Sequence, residues 1–214
     1  MIKIERIVCN MLQENCYIVS DESSECVVVD CGAFYEGERK AIVDYIRSNG
    51  LTPKHLLCTH GHVDHNFGID TIFETFGLQP EVHADDTAYM EDLNGQALQF
   101  IGYRPDNHYP SIGHYLEDSE EICFGQHRMK VLHTPGHSRG SVCFHIVDEH
   151  ILFSGDTLFR HSIGRTDFKD GSMMQIIQSL RQLSQLPDET QILSGHGPVS
   201  TMGEELRMNP FLDR

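Results

Sequence analysis

The sequence predicts a mixed α/β protein made of two similar halves, and three observations carry that prediction. Short Val- and Ile-rich runs alternate with segments of helical period. The order β-rich, α, β, α occurs in the first half and again in the second, so sheets are expected inside and helices outside. No apolar run approaches the ~18 residues of a membrane span. With 214 residues, the chain is expected to form one domain, 1–214, because domains commonly run to about 100–200 residues.

The elements follow in order. "IKIERIV", "NCYIVSD" and "CVVVDCG" read as strands separated by turn residues. In "EGERKAIVDYIRSNG" the period changes: Ile42, Val43, Tyr45 and Ile46 recur at helical spacing, and Gly50 supplies a stop. "KHLLCT" is a short buried-type strand. "NFGIDTIFETFG" reads as a helix with Asn66 as its cap. "PEVHA" is a strand and "DDTAYMEDL" a short helix opened by Asp. Residues 94–115 show no clean period and are expected to be a long loop that shapes a pocket. "LEDSEEICFG" starts as an acidic turn. "HRMKVLHTPG" and "SVCFHIVDEHILFSGDTLF" give three strands, the last two a hairpin around "DEH". An amphipathic helix, "GSMMQIIQSLRQLSQLP", precedes a closing strand, "TQILSGHG", and a terminal helix opened by Thr201.

Acids outnumber bases 32 to 16, for a net charge of −16. Phosphate backbones demand a Lys/Arg surplus, so the charge argues against a nucleic-acid partner. The seven cysteines lie mostly inside apolar strand-like runs, contain no Cys-x-x-Cys, and are odd in number. They read as buried reduced thiols. "MIKIERIVCNML" lacks the apolar core and cleavage site of a signal peptide. A cytoplasmic protein without a membrane partner is expected.

The densest chemistry lies in "CTHGHVDHNFG", which places His60, His62, Asp64 and His65 within six positions. Imidazole nitrogens and carboxylate oxygens are the usual ligands of zinc and related metals. Four such donors exceed the needs of one tetrahedral ion with an open position, which predicts a second ion and further ligands at strand ends. His137 in "HTPGHSRGS", Asp156 in "ILFSGDTLF" and His196 in "ILSGHGPV" each follow an apolar run and sit beside glycine. Seven donors suffice for two ions that share a carboxylate. A lone histidine after a strand is ordinarily a satisfied polar residue, and His55, His83, His108, His114, His127, His133, His145, His150 and His161 are read so. No Gly-x-Ser-x-Gly elbow competes for nucleophilic catalysis.

"THGHVDH", "TPGHSRGS", "SGDTLF" and "SGHGP", in this order, resemble the metallo-β-lactamase fold superfamily. "LFRHSIGRTDF" and "MNPFL" resemble its small glyoxalase II-like hydrolases. The resemblance implies a four-layer αββα sandwich, with one metal on His60, His62 and His137, a second on Asp64, His65 and His196, and Asp156 bridging. It also implies two divalent ions, zinc first and iron or manganese as alternatives. Such ions make hydroxide available at neutral pH to attack a carbonyl, and Asp64 would both ligate and orient that nucleophile. The implied substrate is a small-molecule thioester, such as an acyl-glutathione. Only eighteen residues follow His196, so the C-terminal helical domain of full-length glyoxalase II, which supplies much of the glutathione grip, is expected to be missing.

Two alternatives share the fold. A persulfide dioxygenase has a similar "GRTDF" segment and would hold one iron on His60, His137 and Asp156; a lactonase shares the seven-ligand pattern. Exported zinc β-lactamases carry a signal peptide, so a true lactamase is a weaker fit. In "GRTDF", Arg165 and Asp167 are expected to form an ion pair, with substrate binding by Arg165 as the other reading. Lys169, Arg139 and Tyr103 are further substrate-side candidates, and Phe159 and Phe168 are expected to pack.

Overall fold

The computed structural model describes residues 1–212. The chain divides into two compact units, Met1–Leu116 with Cys123–His127, and Glu117–Ile122 with Arg128 onward. The fold is mixed α/β, with two six-stranded sheets, a two-stranded ribbon and six α-helices among the described residues.

In the first unit, β1 (Lys3–Cys9), β2 (Glu14–Ser20) and β3 (Glu25–Val29) form an antiparallel meander. Burial follows composition. β1, at the sheet edge, is mostly exposed or half-buried, whereas β2 is buried throughout. Helix α1 (Glu36–Ser48) then carries the chain to β4 (Thr52–Leu57), which runs parallel to β3. Its Ile42 and Ile46, one turn apart, are buried, as the period predicts. The Glu38 carboxylate accepts the backbone N–H groups of Phe34, Tyr35 and Asn10, anchoring the start of α1 to the β1–β2 turn. After α2 (Ile69–Phe76), β5 (Pro80–His83) pairs parallel to β4. Two helices, α3 (Thr87–Met90) and α4 (Leu93–Ile101), precede β6 (His114–Leu116), which is parallel to β5. Ile18, Val28, Ile46, Leu56, Phe67 and Ile72 centre the core. Truncating Leu56 to Ala would cost about 2–5 kcal/mol. Because β3 and β4 are parallel, Asp30 and the residues after Leu57 emerge at the same sheet edge.

Two expectations need correction here. Residues 93–101 are helical, not loop. Asp92 caps α4 by accepting the Gly95 N–H at 3.1 Å, and Gly102, at φ +68°, ends it. The buried face of α4 is Leu93, Gln96 and Ala97; a polar residue in the middle of that stripe hides the period. Asn66 is not the cap of α2, which starts three residues later after Gly68. Its side chain serves the preceding loop, described below.

The second six-stranded sheet repeats the pattern. β7 (Glu121–Phe124), β8 (His127–His133), β9 (Val142–Ile146) and β10 (Ile151–Gly155) lie in the sheet order β14-β13-β10-β9-β8-β7, where β13 is Gln191–Ser194 and β14 is Ser200–Thr201. The expected β9–β10 hairpin is present, with Ile146 opposite Ile151 and His150 at φ +52° in the turn. A short ribbon of β11 (Leu158–Phe159) and β12 (Ser162–Ile163) leads to α5 (Met173–Leu183). Ser172 caps α5 on the Gln175 N–H, and Ile176, Leu180 and Leu183 are buried. From there the chain enters β13, parallel to β10. Helix α6 (Met202–Met208) is capped by Thr201, as its sequence predicts. β8 and β10 are each antiparallel to β9, so they point the same way, and β13 joins them. Three strand ends therefore share one edge.

Six cysteines are buried and Cys123 is exposed; none is in a disulfide. Burial pushes the Cys26 thiol up to about 12 and Cys143 up to about 11, which leaves both inert at neutral pH. No helix among the described residues is long and apolar enough to cross a membrane.

Candidate metal centre

The first unit presents its four donors from one short segment after β4. His60, His62 and His65 are buried, with Asp64 and His65 in a single tight turn, residues 63–65. The segment is held by side chains from elsewhere in that unit. Asp30 accepts the Thr59 N–H at 2.7 Å and the Thr59 hydroxyl at 2.8 Å. The Gly61 N–H donates to Asp86 at 2.8 Å. Asn66 donates to the carbonyls of His60 and His62 at 3.1 and 2.7 Å. Gln96 accepts from the Val63 N–H and donates to the Gly61 carbonyl, while Asn10 donates to the Asp64 carbonyl at 2.8 Å. A Cβ at Gly61 would lie 2.7 Å from that of Tyr89, so glycine is required for so close an approach. Sequence reasoning missed Asp30, Asp86, Gln96 and Asn10. For Asp30 a signal existed: a carboxylate directly after "CVVV".

This network also sets the histidine tautomers. The single Thr59 hydroxyl proton goes to Asp30, so at His60 Nδ1, 3.1 Å away, the hydroxyl can only accept. His65 Nδ1 lies 2.9 Å from the Asp30 carboxylate, again an acceptor. In the neutral form both rings therefore carry their proton on Nδ1 and present a lone pair on Nε2. The rings crowd: His60 lies 4.7 Å from His62 and 4.3 Å from His65, centroid to centroid.

In the second unit, His137, Asp156 and His196 follow β8, β10 and β13. His137 Nδ1 faces the Arg165 carbonyl at 2.8 Å. A carbonyl only accepts, so the neutral His137 ring carries its proton on Nδ1 and its lone pair on Nε2. That Nε2 lies 3.5 Å from Asp156 Oδ2, and His196 Nε2 lies 3.7 Å from the same oxygen. Two glycines make room. A Cβ at Gly164 would fall 1.8 Å from the Asp156 carbonyl oxygen and 3.1 Å from His137 Nδ1; one at Gly136, φ +145°, would meet Ile176 at 2.4 Å. Phe168 packs edge-on to His137 at 5.5 Å and Phe159 to His196 at 6.2 Å, as expected of both phenylalanines. Arg165 makes a two-pronged pair with Asp167 at 2.7 and 2.8 Å and lies 4.4 Å over the Phe168 ring. Hydrogen bonding to Arg165 holds the Asp167 carboxyl below its ordinary value. The expected ion pair is present.

The donors fit a metal ion. At His137 a lone pair faces a carboxylate oxygen at 3.5 Å, and at His65 another faces Asp64 Oδ2 at 3.8 Å. With the neutral rings protonated on Nδ1, neither contact is a hydrogen bond, and like-signed partial charges face each other. A cation between them removes the conflict. Two ligands each ~2.0–2.1 Å from a tetrahedral ion stand roughly 3.3 Å apart, close to these separations. Outer partners on Nδ1 are the usual accompaniment of metal-bound imidazole.

The sequence pattern of the Metallo-beta-lactamase superfamily matches residues 9–196. The chain belongs to this superfamily. The hydroxyacylglutathione hydrolase GloC of Haemophilus influenzae is 33% identical, over 98% of each chain. Two crystal structures are each 34% identical to the chain. One, the BLEG-1 B3 metallo-beta-lactamase, has a TM-score of 0.89 and covers 99% of both chains. The other, TTHA1623 in a di-iron-bound form, has a TM-score of 0.84, covering 97% of this chain and 100% of that one. The superfamily is one of metallo-hydrolases, and its fold implies divalent metal ions.

Proposed function

We propose that the chain hydrolyses a small-molecule thioester at a binuclear centre. His60, His62 and His137 would hold one ion, Asp64, His65 and His196 the other, and Asp156 would bridge. Zinc is the proposed metal, with iron the alternative that a di-iron neighbour supports. The observation that supports a metal-bound reading is the tautomer these contacts favour: at His60, His65 and His137 the outer partner accepts a hydrogen bond from Nδ1–H, which leaves the neutral ring's lone pair on Nε2 as a ligand. When bound, the ions supply Lewis acidity and a water acidic enough to serve as nucleophile near neutral pH.

The chain's own residues then have separate tasks. Asp64, whose side chain is 16% exposed, orients the attacking group and receives its proton. Asp30 keeps the His65 ring in one orientation from behind. A thiolate is a good leaving group, so no general acid has to be found among the remaining side chains. The likeness to GloC over nearly the whole chain supports a thioester substrate.

The test is metal content by elemental mass spectrometry on protein purified without added metal or chelator, followed by a substrate panel. About two ions per chain and turnover of thioesters ahead of lactones and a β-lactam are expected. One iron per chain, with oxygen uptake on a persulfide, would overturn the reading.

A further inference from the structure

Away from the metal-binding loop, the first unit contains a cavity of about 560 Å³, within the range of small-molecule sites. It lies between the start of α4, the segment from Arg104 to Ile112, and Tyr115 on β6. The Asn94 side chain donates to the Asn107 carbonyl at 3.0 Å, tying that segment to α4. The aromatic part of the lining is Tyr109 and Tyr115.

The lining of this cavity carries charges of both signs. Arg39, Arg128, Arg139, Arg160 and Arg165 each have a carboxylate partner. Arg104 has none among the described residues, although Glu91 and Asp92 line the same cavity. His108, another lining residue, also has no partner among them, and neither does the Glu91 carboxylate. Arg47, Arg181 and Arg207 also lack a carboxylate partner among the described residues, but Arg104 is the arginine that lines this cavity, together with Glu91 and Asp92. A bare anion would be repelled by Glu91 and Asp92; a bare cation would be repelled by Arg104. A ligand with both charges meets neither objection.

We infer that this cavity binds the head group of an α-amino acid or short peptide. The carboxylate is taken by Arg104 and His108, next to the positive end of α4. Glu91 takes the ammonium, and the Tyr109 and Tyr115 rings receive the body. The ligand is either a free amino acid or the amino-acid end of the thiol carrier of the proposed substrate. Only the second source rests on the thioesterase reading.

The experiment is a titration of the ¹⁵N-labelled full chain, followed by NMR, with L-glutamine and reduced glutathione as probes. Two glutamine controls each lack one charge: N-acetyl-L-glutamine and L-glutaminamide. Saturable shifts confined to residues 90–94 and 104–115 are expected. Each control should bind about tenfold more weakly or worse, as should L-glutamine to Arg104→Ala, with Arg104→Lys retaining part of the affinity. Arg104 is exposed, so a wild-type melting temperature for Arg104→Ala would exclude misfolding. Competition between L-glutamine and the thioester would mark the cavity as the carrier's subsite, and its absence a separate amino-acid site. No saturable shift with either probe, or equal binding of the controls, would overturn the inference whatever the enzyme hydrolyses.

Discussion

The two units position their candidate metal donors in opposite ways. The first takes His60, His62, Asp64 and His65 from a single loop, and side chains reaching in from several other elements hold that loop in shape. The second takes His137, Asp156 and His196 from three strand ends and holds them with main chain: the Arg165 carbonyl on His137, and the Gly195 N–H on the Gly155 carbonyl at 2.8 Å. A loop dense in donors must be constrained by side chains because its own backbone has few regular partners. Donors at the ends of paired strands are placed by sheet register. The first unit should therefore be sensitive to polar side-chain changes, and the second to changes in backbone space.

The largest expected effect tests the residue the second unit places at its centre. Asp156→Ala should remove bound metal and lower turnover by more than the roughly 10–100-fold typical of losing an outer partner. Elemental analysis and a thioester assay read both effects, and full activity would remove Asp156 from the site.

Asp30→Asn tests the first unit's side-chain support. It keeps the shape but weakens the acceptor behind His65 and Thr59, so metal affinity should fall by about 10–100-fold. Competition with a chelator measures this, and unchanged affinity would mean that the loop holds itself. Its counterpart is Gly164→Ala, where the new Cβ would meet the Asp156 carbonyl oxygen. Stability should drop by about 1–3 kcal/mol in denaturant titration, together with weaker metal binding. A neutral result would show that the ribbon can shift and that main-chain placement is looser than argued.

The smallest effect concerns pH in the second unit's sheet. His145, on β9, is held below its ordinary value by burial, then by His150 and Lys130. The folded protein therefore takes up this proton less readily than the unfolded chain. Stability is complete above pH ~6.5, the unfolded value, and declines as pH falls from there toward the lowered folded value. His145→Gln should flatten that part of a melting-temperature profile, and an unchanged slope would assign it to another group.

Legibility also differed between the halves. Alternation and apolar runs marked the strands because half-buried or buried strands must carry that composition. Helix α4 escaped because Gln96, at the centre of its buried face, replaces an apolar residue with one that bonds the loop carrying His60 to His65. Asn66 was misplaced because Asn before an apolar run is an ordinary cap signal; its two bonds to loop carbonyls become visible only once the loop is folded. Asp30, directly after β3, and Asp86, in the turn after β5, carried no period, since a single carboxylate reads the same whether it faces water or holds a buried loop.

What the sequence determined by itself is the set of candidate donors and the doubled α/β order. Ligand chemistry is a property of side-chain type, and periodicity a property of local burial. Tertiary structure decided which nitrogen of each histidine faces inward. That choice depends on a carbonyl or carboxylate at hydrogen-bond distance behind the ring, from Asp30 for His65 and from Arg165 for His137. Partners so far apart in sequence meet only when the chain has folded.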